Sequence, residues 1–105
     1  MSVMMTMWVK GDPSKLEEHA ASNSEEMRSI ADAAKSHGVI AHRFYGSEGQ
    51  ILVVDEWPDE QSFQAFFEEN RDRIGPMMSA IGAEGEPGVN FWRKLDTHDE
   101  VGWGA

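Results

Sequence analysis

Cysteine is absent from all 105 residues, which removes disulfides, thiolate nucleophiles and Cys-ligated zinc or iron–sulfur centres from consideration. Positive charge is scarce: 9 Lys and Arg stand against 19 Asp and Glu, a formal charge of -10. That balance repels phosphate backbones and anionic headgroups over the distance that salt allows, so neither nucleic acid nor a membrane surface is an expected partner. Long apolar runs are missing too. The opening "MSVMMTMWVKGDP" has no basic leading segment and breaks after about eight apolar-leaning residues, short of a signal peptide or a span. A cytoplasmic protein is the expectation. There is no GxSxG elbow, no phosphate-binding glycine loop and no helix with two metal-spaced histidines.

What is present suits one core. With 40% hydrophobic residues the chain can bury a single domain, whereas two cores of half this size would not offset the entropy of ordering them. We place that domain at 1–95 and a polar tail, "DTHDEVGWGA", at 96–105. Residues 3–10 mix β-branched, aromatic and Met side chains, reading as a strand that stops at "GDPS". Asp12 then caps a helix with Pro13 at its first position. Leu16, Ala20, Asn23, Met27, Ile30 and Ala34 recur at helical spacing up to Gly38, which suits a left-handed cap. The polar "ASNSEE" leaves open whether this is one helix or two, recapped near Ser24.

The stretches "VIAHRFYG" and "QILVVDEW" flank "SEG" and read as a hairpin. A turn at Glu48-Gly49 sets Phe44 opposite Val53, His42 opposite Asp55 and Ile40 opposite Trp57. Asp59 caps the next helix, whose stripe is Phe63, Phe66, Phe67, Asn70, Ile74, Met77, Met78 and Ile81. Gly75-Pro76 is expected to kink or divide it, because the proline ring lacks an N–H and clashes with the preceding turn. "GAEGEPG" reads as a loop and "VNFWRKL" as the last strand. The order β-α-β-β-α-β is the ferredoxin-like motif, an α+β fold in which a four-stranded antiparallel sheet carries both helices on one face. Its other face is apolar at Met4 and Trp8 and in the last strand, so a homodimer through that face is expected.

With that order, the span 3–95 resembles the dimeric α+β barrel superfamily, which includes the antibiotic-biosynthesis-type monooxygenases. The residues that carry the resemblance are "VVDEWPDEQSFQAFF": a strand ending in Trp57, followed by an acidic, aromatic helix. The resemblance implies a cleft between sheet and helices and, for the quinone-oxidising members, chemistry without metal or flavin. Those members carry Asn four residues before the Trp; Val53 stands there in this chain. Haem-degrading members take a histidine ligand from the second helix, and none occurs between Asp59 and Ile81. No cofactor and no metal is therefore expected.

His42 and Asp55 are the one acid–base pair that the hairpin puts on a common face. A carboxylate at one imidazole nitrogen fixes the tautomer and leaves the other nitrogen to take a substrate proton. Trp57, Phe44, Phe63 and Phe67 are expected to wall a cleft for a small hydrophobic or aromatic molecule, with Arg93 beside Phe91 as a candidate anion contact. The bland alternatives stand next to these. Trp57 also serves as a corner filler, and His42–Asp55 also reads as a cross-strand pair at a sheet edge. A turn one residue longer would pair His42 with Glu56 instead. Arg43 and Glu56 read as a diagonal ion pair on the opposite face. His19 reads as a core-boundary residue, and His98 with Asp96, Asp99 and Glu100 as solvated tail. The function expected is a cofactor-independent monooxygenase-like or isomerase-like enzyme; a non-catalytic small-molecule-binding or stress-associated barrel is the alternative. A cleft of roughly 300 Å³ beside His42 would separate the two.

Overall fold

Met5, Met7 and Val9 alternate with Thr6, Trp8 and Lys10, and in β1 (Val3–Lys10) the first set is buried under the helices while the second faces away. The computed structural model describes residues 1–103; the last two residues of the expected tail lie outside the described residues. β2 (Ala41–Ser47) and β3 (Gln50–Trp57) form the hairpin, turning at Glu48-Gly49 with Gly49 at φ 72. Their register pairs Phe44 with Val53 and His42 with Asp55, as the turn dictates, and the Ile40 N–H donates to the Glu56 carbonyl just before β2 begins. β1 runs antiparallel between β3 and β4 (Glu84–Trp92), giving the order β2-β3-β1-β4. This is the expected α+β, ferredoxin-like sheet.

The helices on the sheet are divided in both halves. α1 (Pro13–Ser22) is capped by the Asp12 carboxylate, which accepts from the Ser14 N–H at 2.9 Å. Asn23 ends it and α2 (Ser24–Ser36) follows with Glu25 and Glu26 in its first turn, where the helix dipole favours acid. Asn23 itself is exposed, so the apolar stripe is interrupted there. Gly38 takes φ 95 just beyond α2, the left-handed conformation the sequence assigns to it. Gly46 is required for another reason: a Cβ there would meet the Pro13 ring at 2.8 Å, so this glycine lets α1 approach the end of β2.

α3 (Glu60–Glu69) and α4 (Arg71–Ala80) divide at Asn70, not at Gly75-Pro76. The expected break is corrected by position. Pro76 lies inside α4 on its exposed side, where water can take the Asp72 carbonyl that the ring leaves unpaired. Gly75, having no Cβ, also relieves the clash that proline imposes on the residue before it. At the true division Asn70 is buried, donating from Nδ2 to the Phe66 carbonyl at 3.0 Å and accepting from Arg73 at 3.4 Å.

The last strand begins five residues before "VNFWRKL", at Glu84. A register shift between Trp8 and Lys10 of β1 absorbs the extra residues, with Gly85 at φ 75 and Pro87 in the irregular stretch of an edge strand, the place where proline is tolerated. Two apolar clusters result. One joins Met5, Met7, Ala34, Trp57, Phe63, Phe66 and Ile74; the other joins Val9, Leu16, Ile51 and Ile81. Among the described residues the opposite sheet face has no helix on it, and it carries Trp8, Leu52 and Tyr45 in one cross-strand row, with Val54 and Trp92 nearby. Arg43 there donates to the Tyr45 hydroxyl at 3.2 Å and Glu56 accepts from Ser2, so the expected Arg43–Glu56 ion pair is not what forms. Among the described residues no helix is long and apolar enough to cross a membrane.

Candidate active site

The hairpin register assembles the candidate site. Because side chains alternate along a strand, setting His42 opposite Asp55 also brings Phe44, Val53 and Trp57 to the helix-covered face. His42 Nδ1 lies 2.7 Å from Asp55 Oδ1, with the imidazole side chain 35% exposed and the carboxylate only 6%. Trp57 Nε1 donates to the other carboxylate oxygen, Asp55 Oδ2, at 3.0 Å within the core. Asp55 therefore joins two rings, one at the surface and one buried.

Hydrogen-bond chemistry fixes the polarity of this chain. An indole nitrogen only donates and an ionised carboxylate only accepts, so the His42 nitrogen facing Asp55 carries a proton. In the neutral imidazole Nε2 then holds the lone pair, and among the described residues it has no hydrogen-bond partner. The ring stands edge-on to Phe44, centroids 5.0 Å apart, which holds its orientation from a second side.

Among the described residues, His42 and Asp55 are the only titratable side chains lining a cavity between sheet and helices, and the remaining wall is apolar. Phe44 and Val53 come from the hairpin, Phe63 and Phe67 from α3, and Met5, Met7, Met27, Met77 and Met78 fill much of the rest. The volume is about 80 Å³, well under the ~300 Å³ at which drug-sized ligands are held. Methionine side chains are pliable, so this wall yields more readily than one of branched residues. A broader surface depression of about 560 Å³ runs from Asp12 and Glu17 to Glu48, but it offers carboxylates and no imidazole or cation for acid–base work.

The structure thus brings His42, Asp55, Phe44, Phe63 and Phe67 to one cavity and leaves two candidates out. Trp57 has 0% exposure and stands behind Asp55, not on the cavity wall, because Phe63 and Phe66 pack over it at 5.7 and 5.5 Å. Arg93 follows the end of β4, exposed and apart from the cavity lining, because β4 ends at Trp92. Ile30, Ala34, Phe66 and Ile74 line the cavity without having been singled out as site residues; all four belong to the helical apolar stripes, and that spacing was the signal for them. The Trp57–Asp55 bond was also missed, although the D-x-W spacing on a strand puts both side chains on one face.

Electrostatics outside the cavity is modest. Hydrogen bonds from the Ser62 backbone and hydroxyl hold the Asp59 carboxyl below its usual range. His37 lies 2.8 Å from Glu69 and joins the end of α2 to the end of α3. His19 is half-buried, at the core boundary as expected, and among the described residues its Nε2 has no hydrogen-bond partner. His98 and Asp96 are 3.5 Å apart and exposed in the tail. No group of three or more metal-ligating side chains converges among the described residues.

No protein-family model matches the chain, and no curated protein matches it. Solved structures do. A dimeric ferredoxin-like protein from an uncultured marine organism superposes with a TM-score of 0.65 at 14% identity, over 95% of this chain and 93% of that one. The chain shares this ferredoxin-like fold. SnoaB, a cofactor-independent oxygenase from Streptomyces nogalater, matches with a TM-score of 0.61 at 13% identity, over 94% of this chain and 98% of its own. An antibiotic biosynthesis monooxygenase matches at 0.60 and 10% identity, over 90% and 99%. The resemblance read from the strand–Trp–Pro–helix stretch is thus a resemblance of architecture to antibiotic-biosynthesis-monooxygenase-like structures.

Proposed function

We propose that the chain is a cytoplasmic homodimer and a cofactor-independent, monooxygenase-like enzyme for a small hydrophobic or aromatic molecule bound between sheet and helices. The domain doing this work is 1–95, with 96–105 as an appended polar tail. The observation that carries the reading is the His42–Asp55 pair at the mouth of an otherwise apolar cavity. His42 Nε2 takes a proton from a phenolic hydroxyl or an activated C–H, and Asp55 stabilises the imidazolium that forms. The resulting carbanion passes electrons to dioxygen. One oxygen atom stays on carbon as a carbonyl and the other leaves as water with the two hydrogens the substrate gives up, both from the same carbon of a methylene or one from the ring carbon and one from the hydroxyl of a phenol, so no outside reductant is needed. Architecture shared with a cofactor-independent oxygenase supports the reading without deciding it, since function resides in the site.

The bare sheet face supports the homodimer. Trp8, Leu52, Tyr45 and Trp92 form an apolar surface that a second copy would remove from water. The dimeric state of one structural neighbour is consistent with this.

The cavity volume favours a second reading. At about 80 Å³ it holds a few waters, and a single aromatic ring enters only if the methionines move. A non-catalytic, stress-associated barrel would need no more. The test is oxygen uptake and product formation with a panel of single-ring phenols and hydroquinones under air. The enzyme reading expects turnover that falls by about 100-fold or more in His42→Ala. Unchanged turnover in that variant rejects His42 as base, and saturable binding with no turnover selects the non-catalytic barrel.

A further inference from the structure

We propose that Trp57 is a positioning residue: its indole N–H, bonded to Asp55 Oδ2, fixes the carboxylate so that Oδ1 holds the His42 imidazole with Nε2 free at the cavity. This rests on His42 being the base. It replaces a wall role for Trp57, which the buried position of the ring rules out.

A carboxylate swings broadly about its last torsion. One bond from a ring that is 35% exposed does little to stop it. The second bond goes to the other oxygen and comes from the most deeply buried ring among the described residues: Trp57 has 0% exposure, with Phe63 meeting it edge-on at 5.7 Å and Phe66 packed at 5.5 Å. Rigidity therefore passes outward, from the aromatic core to Trp57, then Asp55, then His42. The same bond selects the protonation pattern. Because Trp57 only donates, Oδ2 must accept, and an Asp55 protonated on that oxygen would set donor against donor. The acceptor form of Asp55 is the form that keeps the proton of neutral His42 on Nδ1. Filling the corner requires only an aromatic ring; it does not require that ring's N–H to meet the one carboxylate of the site.

The test needs no substrate. In uniformly ¹⁵N-labelled protein the four tryptophans give four indole N–H signals, and pH is scanned across the His42 titration. The Trp57 signal is expected to move in step with His42, and His42→Gln to abolish that movement. Trp8 and Trp92, which donate to Gln50 and Thr6, serve as internal controls. Trp57→Phe, which keeps a ring and deletes the donor, is expected to move the neutral His42 ring from the Nδ1–H tautomer toward Nε2–H. A Trp57 signal that stays flat while His42 titrates overturns the proposal, as does an unchanged tautomer in folded Trp57→Phe. If that variant does not fold, the wild-type and His42→Gln titrations decide alone. The two failures are separable: these spectra do not depend on turnover, and loss of activity in His42→Ala does not depend on Trp57.

Discussion

On the helix-covered face of the sheet Trp57 is 0% exposed and gives its N–H to a carboxylate, whereas on the bare face Trp92 and Trp8 are 53% and 43% exposed and give theirs to Thr6 and Gln50. All three are strand tryptophans with a satisfied donor. The difference lies in what surrounds the bond. Beneath the helices water cannot substitute for a lost partner, so the indole, the carboxylate and the imidazole depend on one another. On the bare face water reaches the same type of bond, and the ring's apolar body is what remains costly until another surface covers it.

This contrast can be broken by substitution. The largest effect is expected for Trp57→Ala, which opens a core cavity and strips a buried carboxylate of its donor; about 3–5 kcal/mol of stability should be lost in urea unfolding. Trp92→Ala in the same assay, on a Leu52→Lys background that keeps the protomer monomeric, should cost under about 1 kcal/mol. Equal losses would mean that the two faces do not differ as described. Next comes Leu52→Lys, at the centre of the Trp8–Leu52–Tyr45 row. An unpaired ammonium in a closed interface should weaken self-association by ~100-fold or more while the protomer stays folded, seen as a dimer-to-monomer shift in light scattering. A monomeric wild type would remove the dimer from the proposal.

The smallest effect belongs to neither face. Asp59 is an N-cap whose carboxyl the Ser62 donors hold below its ordinary range, so the folded chain binds that proton more weakly than the unfolded one. Its contribution is fully present above the unfolded value and is lost as pH falls through the lower folded value. Asp59→Asn, which cannot ionise, should therefore flatten the acid limb of stability against pH in that window, with a small loss at neutral pH, where the carboxylate contributes, and least change at the acid end, as followed by thermal melts across pH.

Much of the fold was legible because it is written in local chemistry. Val3 to Lys10, the Glu48-Gly49 turn and the Asp12 and Asp59 caps each depend on a few adjacent residues, and the hairpin register followed from the turn alone. The divided helix went wrong where local chemistry was overruled. Proline is a strong breaker by itself, yet Pro76 lies on an exposed face where its missing bond costs little, and the real division falls at Asn70, whose side chain meets the Phe66 carbonyl and Arg73. The start of β4 was hidden because glycine and proline in "GAEGEPG" signal a loop, and only pairing with β1 draws Glu84 into the strand. Arg93 falls outside the alternation that would face it to the cavity, because β4 stops at Trp92, short of Leu95.

For the candidate site, which side chains share a face was readable in the chain: His42 against Asp55, with Phe44 and Trp57 on the same side. This is so because strand alternation and a two-residue turn are properties of neighbouring residues. Depth was set by packing between elements. Whether a ring lines a cavity or stands behind it depends on what packs above it, and α3 laid Phe63 and Phe66 over Trp57 while leaving His42 at the opening. Packing between distant segments set that order, and no spacing within "VVDEWPDEQSFQAFF" records it.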